Sequence, residues 1–426
     1  MIKRKSSSIT GLALIILVAS AAGCVPSVPN NFSATRTQTI PLTSTPTLSI
    51  ATRTPETNLQ VNEECVEIVP SLDLTPDETL VLQDQISNNI ALFDLKTDQS
   101  QSFGEAVYIM AISPDRSQLA YTDKVTGKLI ILASNGKRLS TTSVPDNWIG
   151  VIQWISPSTL LMDKFLGIPP GIPYGLASTI MYNTKTGEVQ EFASNYPGIT
   201  TSIPPFPWDN YSYTRTVYDP LFSRVIYPAE EQDGHSLLVL LDLETKRDVT
   251  RFHTPIGSAP QWTQDGSYFV TVIVPQFKWG DNLYQNVSDD LPYNGGHELF
   301  WVSRDGKVQR LTYLTTKFQA GEEGISLSPN EEHIAFWLNL RYEPGDLNAD
   351  RKLAVLDIST GEITNLCLAG TATPISPIWS PDGKYLVISR YYTTGDLLSD
   401  VLLVDLEHGI AKRIAKNSVA KGWLVK

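Results

Sequence analysis

The fold is decided by one stretch near the C-terminus, Trp379-Ser380-Pro381-Asp382-Gly383-Lys384-Tyr385-Leu386-Val387-Ile388. An apolar strand end is followed there by a Ser-Pro-Asp-Gly turn and then by a strand of β-branched and aromatic residues, which is the pattern of a tight hairpin. Weaker copies of the pattern lie upstream. They begin at Ile112, Trp154, Asp219, Trp262 and Leu327. A hairpin that returns throughout the chain indicates a repeat fold.

A second hairpin, with a polar turn that often ends in Gly, alternates with the first. Its copies span 90–103, 129–139, 178–192, 236–252, 298–312, 353–366 and 401–414. The sequence therefore contains seven hairpins of the second kind but only six of the first. If each unit is a sheet of four antiparallel strands, the N-terminal unit lacks its innermost strand, and the chain end at 420–425 can supply it.

The sequence thus predicts an all-β protein in which residues 61–426 form a seven-bladed β-propeller. Its blades are four-stranded and antiparallel, and the C-terminal strand closes the ring by joining the N-terminal blade. Trp154, Trp262, Trp379 and Trp423 then occupy equivalent places on inner strands, where we expect them to pack in the core.

The Trp-Ser-Pro-Asp-Gly-Lys-Tyr-Leu unit resembles the WD40-like repeat of TolB-type propellers, often called PD40. The resemblance extends over the first hairpin of six blades, is strongest at 379–388, and lacks the Asp-Gly part near 154 and 219. It implies the propeller fold. It constrains function less, because such propellers serve as protein-binding platforms, as sensor domains and as gates of oligopeptidases.

The first 23 residues have the composition of a secretory signal peptide. A cationic start at residues 3–5 precedes an apolar run at 9–22, which is shorter than the ~20 residues that span a bilayer. Ala21-Ala22-Gly23-Cys24 resembles the bacterial lipobox, although Ala21 replaces the usual Leu. The resemblance implies that Cys24 is acylated and anchors the protein on the extracytoplasmic side of the cell membrane. An ordinary cleaved signal peptide is the alternative.

Residues 24–60 are rich in Ser, Thr and Pro and poor in large apolar groups, so they cannot bury enough surface to fold. We expect a disordered tether with a mean span of ~35 Å. The formal charge of the whole chain is −12, and the signal peptide carries three of the cationic residues and no acidic one. The remainder is therefore at −15, which argues against nucleic acid as a partner.

With Cys24 acylated, Cys65 and Cys367 remain as a pair in an oxidising compartment, and we expect a disulfide between them. Two free thiols are the alternative. No metal or other cofactor is predicted, because the five histidines show no ligand spacing. The segment 346–350 alternates oxygen ligands like a calcium loop, but Arg351 stands where the loop needs Gly, so we expect a solvated loop.

When the strands of a blade are named a to d from the centre outward, the b–c loops and the d–a connections lie on one face of the disc. The long insertions all fall on that face, at 163–177, 194–215, 274–297, 339–352 and 391–400. They carry aromatic side chains, which are typical of protein and sugar contacts. The candidate ligand-binding residues are Trp208, Tyr211, Trp279, Tyr284, Tyr293, Tyr342 and Tyr391. Pinning of the loops onto the disc is the alternative role of these aromatics.

The motif tests favour binding over catalysis. The Gly-x-Ser-x-Gly elbow of a serine hydrolase is absent from the sequence, and no α/β domain is expected after the ring closure. Paired carboxylates of a glycan-active enzyme stay possible on the acidic loop face. We therefore predict a membrane-anchored binding module for a protein, a peptide or a glycan, with no catalytic residue. A scaffold of an envelope complex is the main alternative.

Overall fold

A computed structural model describes twelve segments of the chain. They are 61–70, 78–143, 148–167, 176–193, 217–232, 235–255, 259–279, 282–287, 290–341, 351–370, 375–391 and 399–425. The predicted signal peptide, the acylation site Cys24 and the predicted tether lie outside these residues, so the predicted domain boundaries stay predictions.

The described residues form strands almost throughout. In chain order the strands are β1 (Val61–Glu63), β2 (Glu67–Val69), β3 (Glu78–Asp84), β4 (Asn89–Asp94), β5 (Gln99–Ile112), β6 (Gln118–Asp123), β7 (Lys128–Ala133), β8 (Arg138–Ser143), β9 (Trp148–Ser156), β10 (Thr159–Gly167), β11 (Leu176–Asn183), β12 (Val189–Ala193), β13 (Val217–Tyr218), β14 (Arg224–Gln232), β15 (His235–Asp242) and β16 (Arg247–Pro255). They continue as β17 (Gln261–Trp262), β18 (Tyr268–Ile273), β19 (Gln276–Trp279), β20 (Asn282–Gln285), β21 (Glu298–Ser303), β22 (Val308–Arg310), β23 (Gly321–Leu327), β24 (His333–Asn339), β25 (Arg351–Asp357), β26 (Ile363–Gly370), β27 (Ile378–Trp379), β28 (Tyr385–Tyr391), β29 (Ser399–Asp405), β30 (Ile410–Lys416) and β31 (Ser418–Val425). One turn of 3-10 helix, Leu314–Thr316, lies between β22 and β23.

The strands form seven antiparallel blades, which confirms the predicted fold class. From the centre outward, blade one is β31-β3-β4-β5, blade two is β5-β6-β7-β8, and blade three is β9-β10-β11-β12. Blade four is β13-β14-β15-β16, blade five is β17-β18-β21-β22, blade six is β23-β24-β25-β26, and blade seven is β27-β28-β29-β30. The long strand β5 serves two blades, because its first half pairs with β4 and its second half with β6.

The C-terminal strand closes the ring as the hairpin count predicted. Strand β31 pairs antiparallel with β3 from Glu78↔Val425 to Asp84↔Ser418, two residues earlier in the chain than expected. The first and last parts of the domain therefore share blade one, and neither can leave without opening the ring.

The Ser-x-Asp turns close the first hairpin of a blade with their own side chains. In blade seven the hydroxyl of Ser380 donates to Asp382 at 2.6 Å and accepts the backbone N–H of Tyr385 at 2.9 Å. The same pair of bonds recurs at 113–118 in blade two, at 263–268 in blade five and at 328–333 in blade six. The repeat is thus a turn that satisfies its own backbone, which explains why these residue types return at this spacing.

The hydrophobic core lies between the blades as seven separate apolar clusters, one at each junction. Strand β24 shows how the pleat feeds two of them. Ile334, Phe336 and Leu338 pack toward blade five, whereas Ala335 and Trp337 pack toward blade seven. Because both faces of each blade are buried, the central strands are almost continuously apolar.

The inner-strand tryptophans join neighbouring blades, as expected for core residues. The indole N–H of Trp154 donates to the carbonyl of Ala111 in the preceding blade at 3.0 Å, and Trp379 donates to Ser326 at 2.9 Å. Trp423 and Trp262 occupy the corresponding places on β31 and β17. The indoles of Trp154, Trp379 and Trp423 therefore combine apolar packing with a bond to the preceding blade, whereas Trp262 contributes by packing alone.

The N-terminal segment adds a feature that the sequence did not reveal. Strand β1 pairs parallel with β26 on the outer edge of blade six, and β2 pairs parallel with β30 on the outer edge of blade seven. Between them, Cys65 is bonded to Cys367 with a Cα–Cα distance of 4.8 Å, which confirms the predicted disulfide. This N-terminal belt (residues 61–69) covers two blade edges before the chain enters blade one.

Candidate functional site on the long-loop face

The two faces of the disc are built differently. On one face, which we call the tight face, the a–b and c–d turns are short and closed by their own side chains. On the opposite face, called the long-loop face, the b–c connections of blades three, five, six and seven span 168–175, 274–297, 340–350 and 392–398. The four predicted b–c insertions are thus confirmed as connections between strands b and c, whereas the predicted d–a insertion at 194–215 lies outside the described residues. Blades one, two and four differ, because residues 85–88, 124–127 and 233–234 alone join their b and c strands.

Four of the seven candidate ligand-binding residues lie in the described part of the chain. The structure describes the backbone of Trp279, Tyr284 and Tyr391, whereas Trp208, Tyr211 and Tyr342 lie outside the described residues. Their side chains are not described, so their binding role stays a prediction.

Trp279 and Tyr284 belong to an extra hairpin, β19–β20, inserted between strands b and c of blade five. The register pairs Phe277 with Tyr284 and Trp279 with Asn282. The side chain of Asn286 fixes the base of the hairpin, because its amide donates to the carbonyl of Val274 at 2.6 Å. The base of the hairpin is therefore fixed on the strands of blade five.

Two histidines of blade four support this hairpin. The rings of His235 and His253 both lie with centroids 4.5 Å from the ring of Phe277. Burial lowers the pKa of His253, and the neighbouring His235 lowers it further. Both imidazoles are therefore packing partners of Phe277 and hold the hairpin against blade four.

Tyr293 has a structural contact on the same face. It is half-buried, and its hydroxyl donates to the carbonyl of Gly296 at 2.7 Å. The next residue, Asn294, donates to the carbonyls of Thr315 and Thr316 at 3.1 and 2.8 Å. Of the candidate residues, Tyr293 is thus the one whose side chain is seen to pin its own loop.

A buried ion pair lies directly beneath these loops in blade five. The guanidinium of Arg310 donates to the carboxylate of Glu298 at 2.6 Å, and both side chains are almost fully buried. Glu298 also accepts bonds from the backbone N–H and the hydroxyl of Thr315, both at 2.6 Å. The pair compensates its loss of solvation through these extra bonds, and it anchors the 3-10 turn.

A second buried carboxyl, Glu322 of blade six, faces this pair. Burial raises the pKa of Glu322 well above its usual range, and the nearby carboxylate of Glu298 raises it further. The hydroxyl of Thr312 donates to Glu322 at 2.9 Å, and the backbone N–H of Glu322 donates to Nδ1 of His297 at 2.9 Å. Burial lowers the pKa of His297 to about 3, so its imidazole is neutral.

This arrangement resembles a catalytic carboxyl pair in composition but not in accessibility. Glu298 and Glu322 both have an exposed fraction of zero, and their partners are protein groups. A solute cannot reach either carboxyl in this conformation. Glu298 and Glu322 instead form part of the packed junction between blades five and six. They do not provide a site for glycoside hydrolysis, which needs both carboxyls beside a sugar.

This buried polar layer was not predicted from the sequence. Its signal was present, because Glu298, Arg310, Glu322 and Arg351 are charged residues near the ends of strands. Such positions are costly when buried unless they are paired, and the ion-pair partners lie on other strands of the same blade, Arg310 for Glu298 and Glu323 for Arg351.

Within the described residues, no three His, Cys, Asp or Glu side chains are grouped so as to hold a metal ion. Within the same residues, no helix is long and apolar enough to cross a bilayer.

No family model matches the sequence, and no curated protein matches it either. Among solved structures, TolB from Acinetobacter baumannii is 15% identical with a TM-score of 0.42, over 82% of this chain and 66% of that chain. An oligogalacturonate lyase in complex with manganese is 16% identical with a TM-score of 0.45, over 71% of this chain and 79% of that chain. A puromycin-hydrolysing peptidase of Mycobacterium tuberculosis is 11% identical with a TM-score of 0.49, over 83% and 53%. The chain thus spans less than two thirds of the TolB and peptidase chains, and these likenesses concern the fold alone.

Proposed function

We propose that this protein is a lipid-anchored, extracytoplasmic binding module, and that the long-loop face of its propeller docks a protein, a peptide or a glycan. The observation that carries the proposal is the asymmetry of the disc. The extended b–c connections of blades three, five, six and seven, with the hairpin β19–β20, share one face, whereas tight turns close the other. Loops held on a rigid scaffold are where binding residues concentrate.

The described domain begins at the face opposite the proposed binding face. Val61 pairs with Ile363, the first residue of β26, and the side chain of Asn62 donates to Glu362 in the c–d turn of blade six. The N-terminal belt therefore starts at the rim of the tight face and leaves the long-loop face uncovered at that point.

The buried layer supports a binding role over catalysis. The carboxyl pair under the loops is closed to solutes and is used to join blades. A scaffold within an envelope complex is the alternative function. It would need the same rigid disc but would show no affinity for a small ligand, whereas the binding module would.

A binding experiment on the soluble domain, residues 61–426, tests the proposal. The domain is applied to a glycan array and used to capture envelope proteins and peptides of its own source cell. Trp279→Ala with Tyr284→Ala should weaken capture of the recovered ligand by about tenfold or more, because aromatic anchors dominate such interfaces. Tyr268→Ala is the matched control, since Tyr268 is a half-exposed aromatic at the a–b turn of the same blade. Equal loss in both variants, or none in either, would place the site elsewhere.

The anchor is tested separately in the full chain. Cys24→Ser should move the protein from the membrane fraction to the soluble extracytoplasmic fraction, because acylation requires the cysteine thiol. If the variant stays with the membrane, the lipid anchor is wrong, whatever the ligand.

A further inference from the structure

One five-residue turn recurs at seven places in the described part of the chain. Its first residue is Asp or Asn, and a side-chain oxygen of that residue accepts the N–H of the fourth residue at 2.7–3.2 Å. The fifth residue has a positive φ, between +54° and +74°. The turns begin at Asp84, Asp94, Asp123, Asn183, Asp242, Asp357 and Asp405. Because the geometry is shared, differences in side-chain type between the copies are not imposed by the turn.

The third residue forms the exposed tip of this turn, and its character depends on the face. The five c–d turns lie on the tight face, and their tips are Lys96, Lys185, Glu244, Ser359 and Glu407. The other two copies are b–c turns of blades one and two on the long-loop face. Their tips are Ile86 and Val125, which are 68% and 77% exposed. Aliphatic tips thus occur where the turn faces the proposed binding surface, although the same turn accepts a polar tip elsewhere.

The two aliphatic tips stand in a sector that carries short connections only. Asn417 alone joins blade seven to blade one, β5 runs without interruption from blade one into blade two, and residues 144–147 lead on to blade three. Four-residue turns, 85–88 and 124–127, are the b–c connections here. The tips of blades one and two are therefore not overhung by insertions of their own blades.

The sector is also rigid and locally acidic. Oε1 of Gln85, next to Ile86, accepts bonds from the backbone N–H and the hydroxyl of Ser399 at 2.7 and 2.9 Å, which fixes the turn to blade seven. Beside Val125, Lys124 is paired with Glu105 at 3.6 Å. The carboxylates of Asp84 and Asp123 keep their formal negative charge while they accept the N–H groups of their own turns, so this sector disfavours an acidic partner.

We propose that Ile86 and Val125 form a two-point apolar seat for an extended, non-acidic peptide segment that carries spaced apolar side chains. The inference rests on the proposed function and names the partner of that face. A second copy of the disc is a poorer fit, because two aliphatic tips cover on the order of 200 Å², far below the roughly 1,000 Å² that a stable interface needs. Among the described residues of this sector Lys124 is paired with Glu105, so an anionic lipid or a nucleic acid finds no cationic patch there, and the net charge of −12 disfavours acidic peptides.

A random twelve-residue peptide library displayed on phage tests the seat. The full chain in detergent serves as bait, and the affinity of enriched peptides is measured by fluorescence anisotropy. The double variant Ile86→Lys with Val125→Lys should weaken binding by about tenfold or more. The control is Leu221→Lys, since Leu221 is 62% exposed at the a–b turn of blade four on the tight face. An unchanged melting temperature confirms that each variant is folded.

The outcomes separate this inference from the proposed function. Loss of affinity in the double variant but not in the control supports the seat. If the enriched peptides instead lose affinity with Trp279→Ala and Tyr284→Ala and bind the double variant normally, the long-loop face binds but the seat is wrong. If no peptide is enriched, the seat is overturned, while capture of a glycan or an envelope protein would still leave the proposed function standing.

Discussion

Removal of the disulfide between Cys65 and Cys367 provides a quantitative test of how the N-terminal belt stabilises the ring. The bridge joins residues 302 positions apart, so in the unfolded chain it closes a loop that contains most of the propeller. In the chain-entropy model, a loop of this length lowers the entropy of the unfolded state by about 19 cal/mol/K, or about 6 kcal/mol at 25 °C. Residual structure in the unfolded chain reduces this figure, so we expect about 3–6 kcal/mol.

The expected change in the native state is small. Cys65 is exposed and Cys367 is half-buried, so serine at both positions leaves no buried cavity. Strands β1 and β2 keep their parallel pairing to blades six and seven, and β31 still closes blade one. The double variant Cys65→Ser with Cys367→Ser should therefore keep the far-ultraviolet circular dichroism of the wild type while its unfolding midpoint falls.

The assay is equilibrium urea unfolding followed by tryptophan fluorescence, with and without a reductant. The reductant should lower the unfolding free energy of the wild type by the same amount as the double substitution and should leave the double variant unchanged. A loss below about 1 kcal/mol would refute the reasoning, because the bridge would then not restrict the unfolded chain. A reductant effect on the double variant would point to a cause other than this bond.

Three further predictions concern the strand that closes the ring, the pKa of a partly buried carboxyl group and the packing around a glycine. Trp423→Ala should destabilise the domain by about 3–5 kcal/mol in urea unfolding, because its buried indole lies in the strand that closes the ring; a normal melt would mean that the closure is dispensable. Burial first, and the Asp382 carboxylate second, raises the pKa of Glu78 to about 7, so the folded state holds this proton more tightly than the unfolded state and loses stability as pH rises through 7. After allowance for partial solvent exposure the loss is about 1–2 kcal/mol, and Glu78→Gln should flatten the profile of melting temperature between pH 5 and 8. Gly296→Ala should cost more than about 3 kcal/mol, because its Cβ would lie 1.7 Å from a backbone oxygen, whereas Gly187→Ala, with nothing within 4 Å of the added atom, should cost about 1 kcal/mol. Equal melting temperatures for the two alanine variants would contradict that contact.

The proposed binding function depends on a rigid base. The hairpin β19–β20 rests on blade five and against the histidines of blade four, and the turns with Ile86 and Val125 at their tips are held by their own carboxylates. Binding residues held in this way lose little conformational freedom when a partner docks, which favours affinity. The buried hydrogen bond from Thr312, which follows the last strand of blade five, to Glu322 of blade six extends the same rigidity across the junction of these blades.

The repeat itself could be predicted because its physics is local. A hydroxyl at the first position of a Ser-x-Asp turn accepts a backbone N–H five residues later. The motif can therefore be recognised from its own residues, without knowledge of the blades that pack against it. The number of blades and the strand that closes the ring followed from counting hairpins. The disulfide followed from the parity of the cysteines once Cys24 was set aside.

The belt could not be predicted from such patterns. Strands β1 and β2 are three residues long and pair with partners some 300 positions away, so no local periodicity marks them. The same holds for the hairpin β19–β20, which lies inside a segment that the sequence presented as a loop. Short strands are defined by the edge they meet, and that edge exists only after folding.

The candidate site, too, was predicted from the sequence only in part. The sequence by itself determined that long connections share one face of a closed disc, because strand order fixes where each connection emerges. Only the tertiary structure decided that Glu298 and Glu322 lie buried together across a blade junction, and that the tips Ile86 and Val125 are exposed on neighbouring blades. Hairpins are formed by residues close in the chain, whereas burial and pairing between blades depend on contacts that the chain makes only when the ring closes.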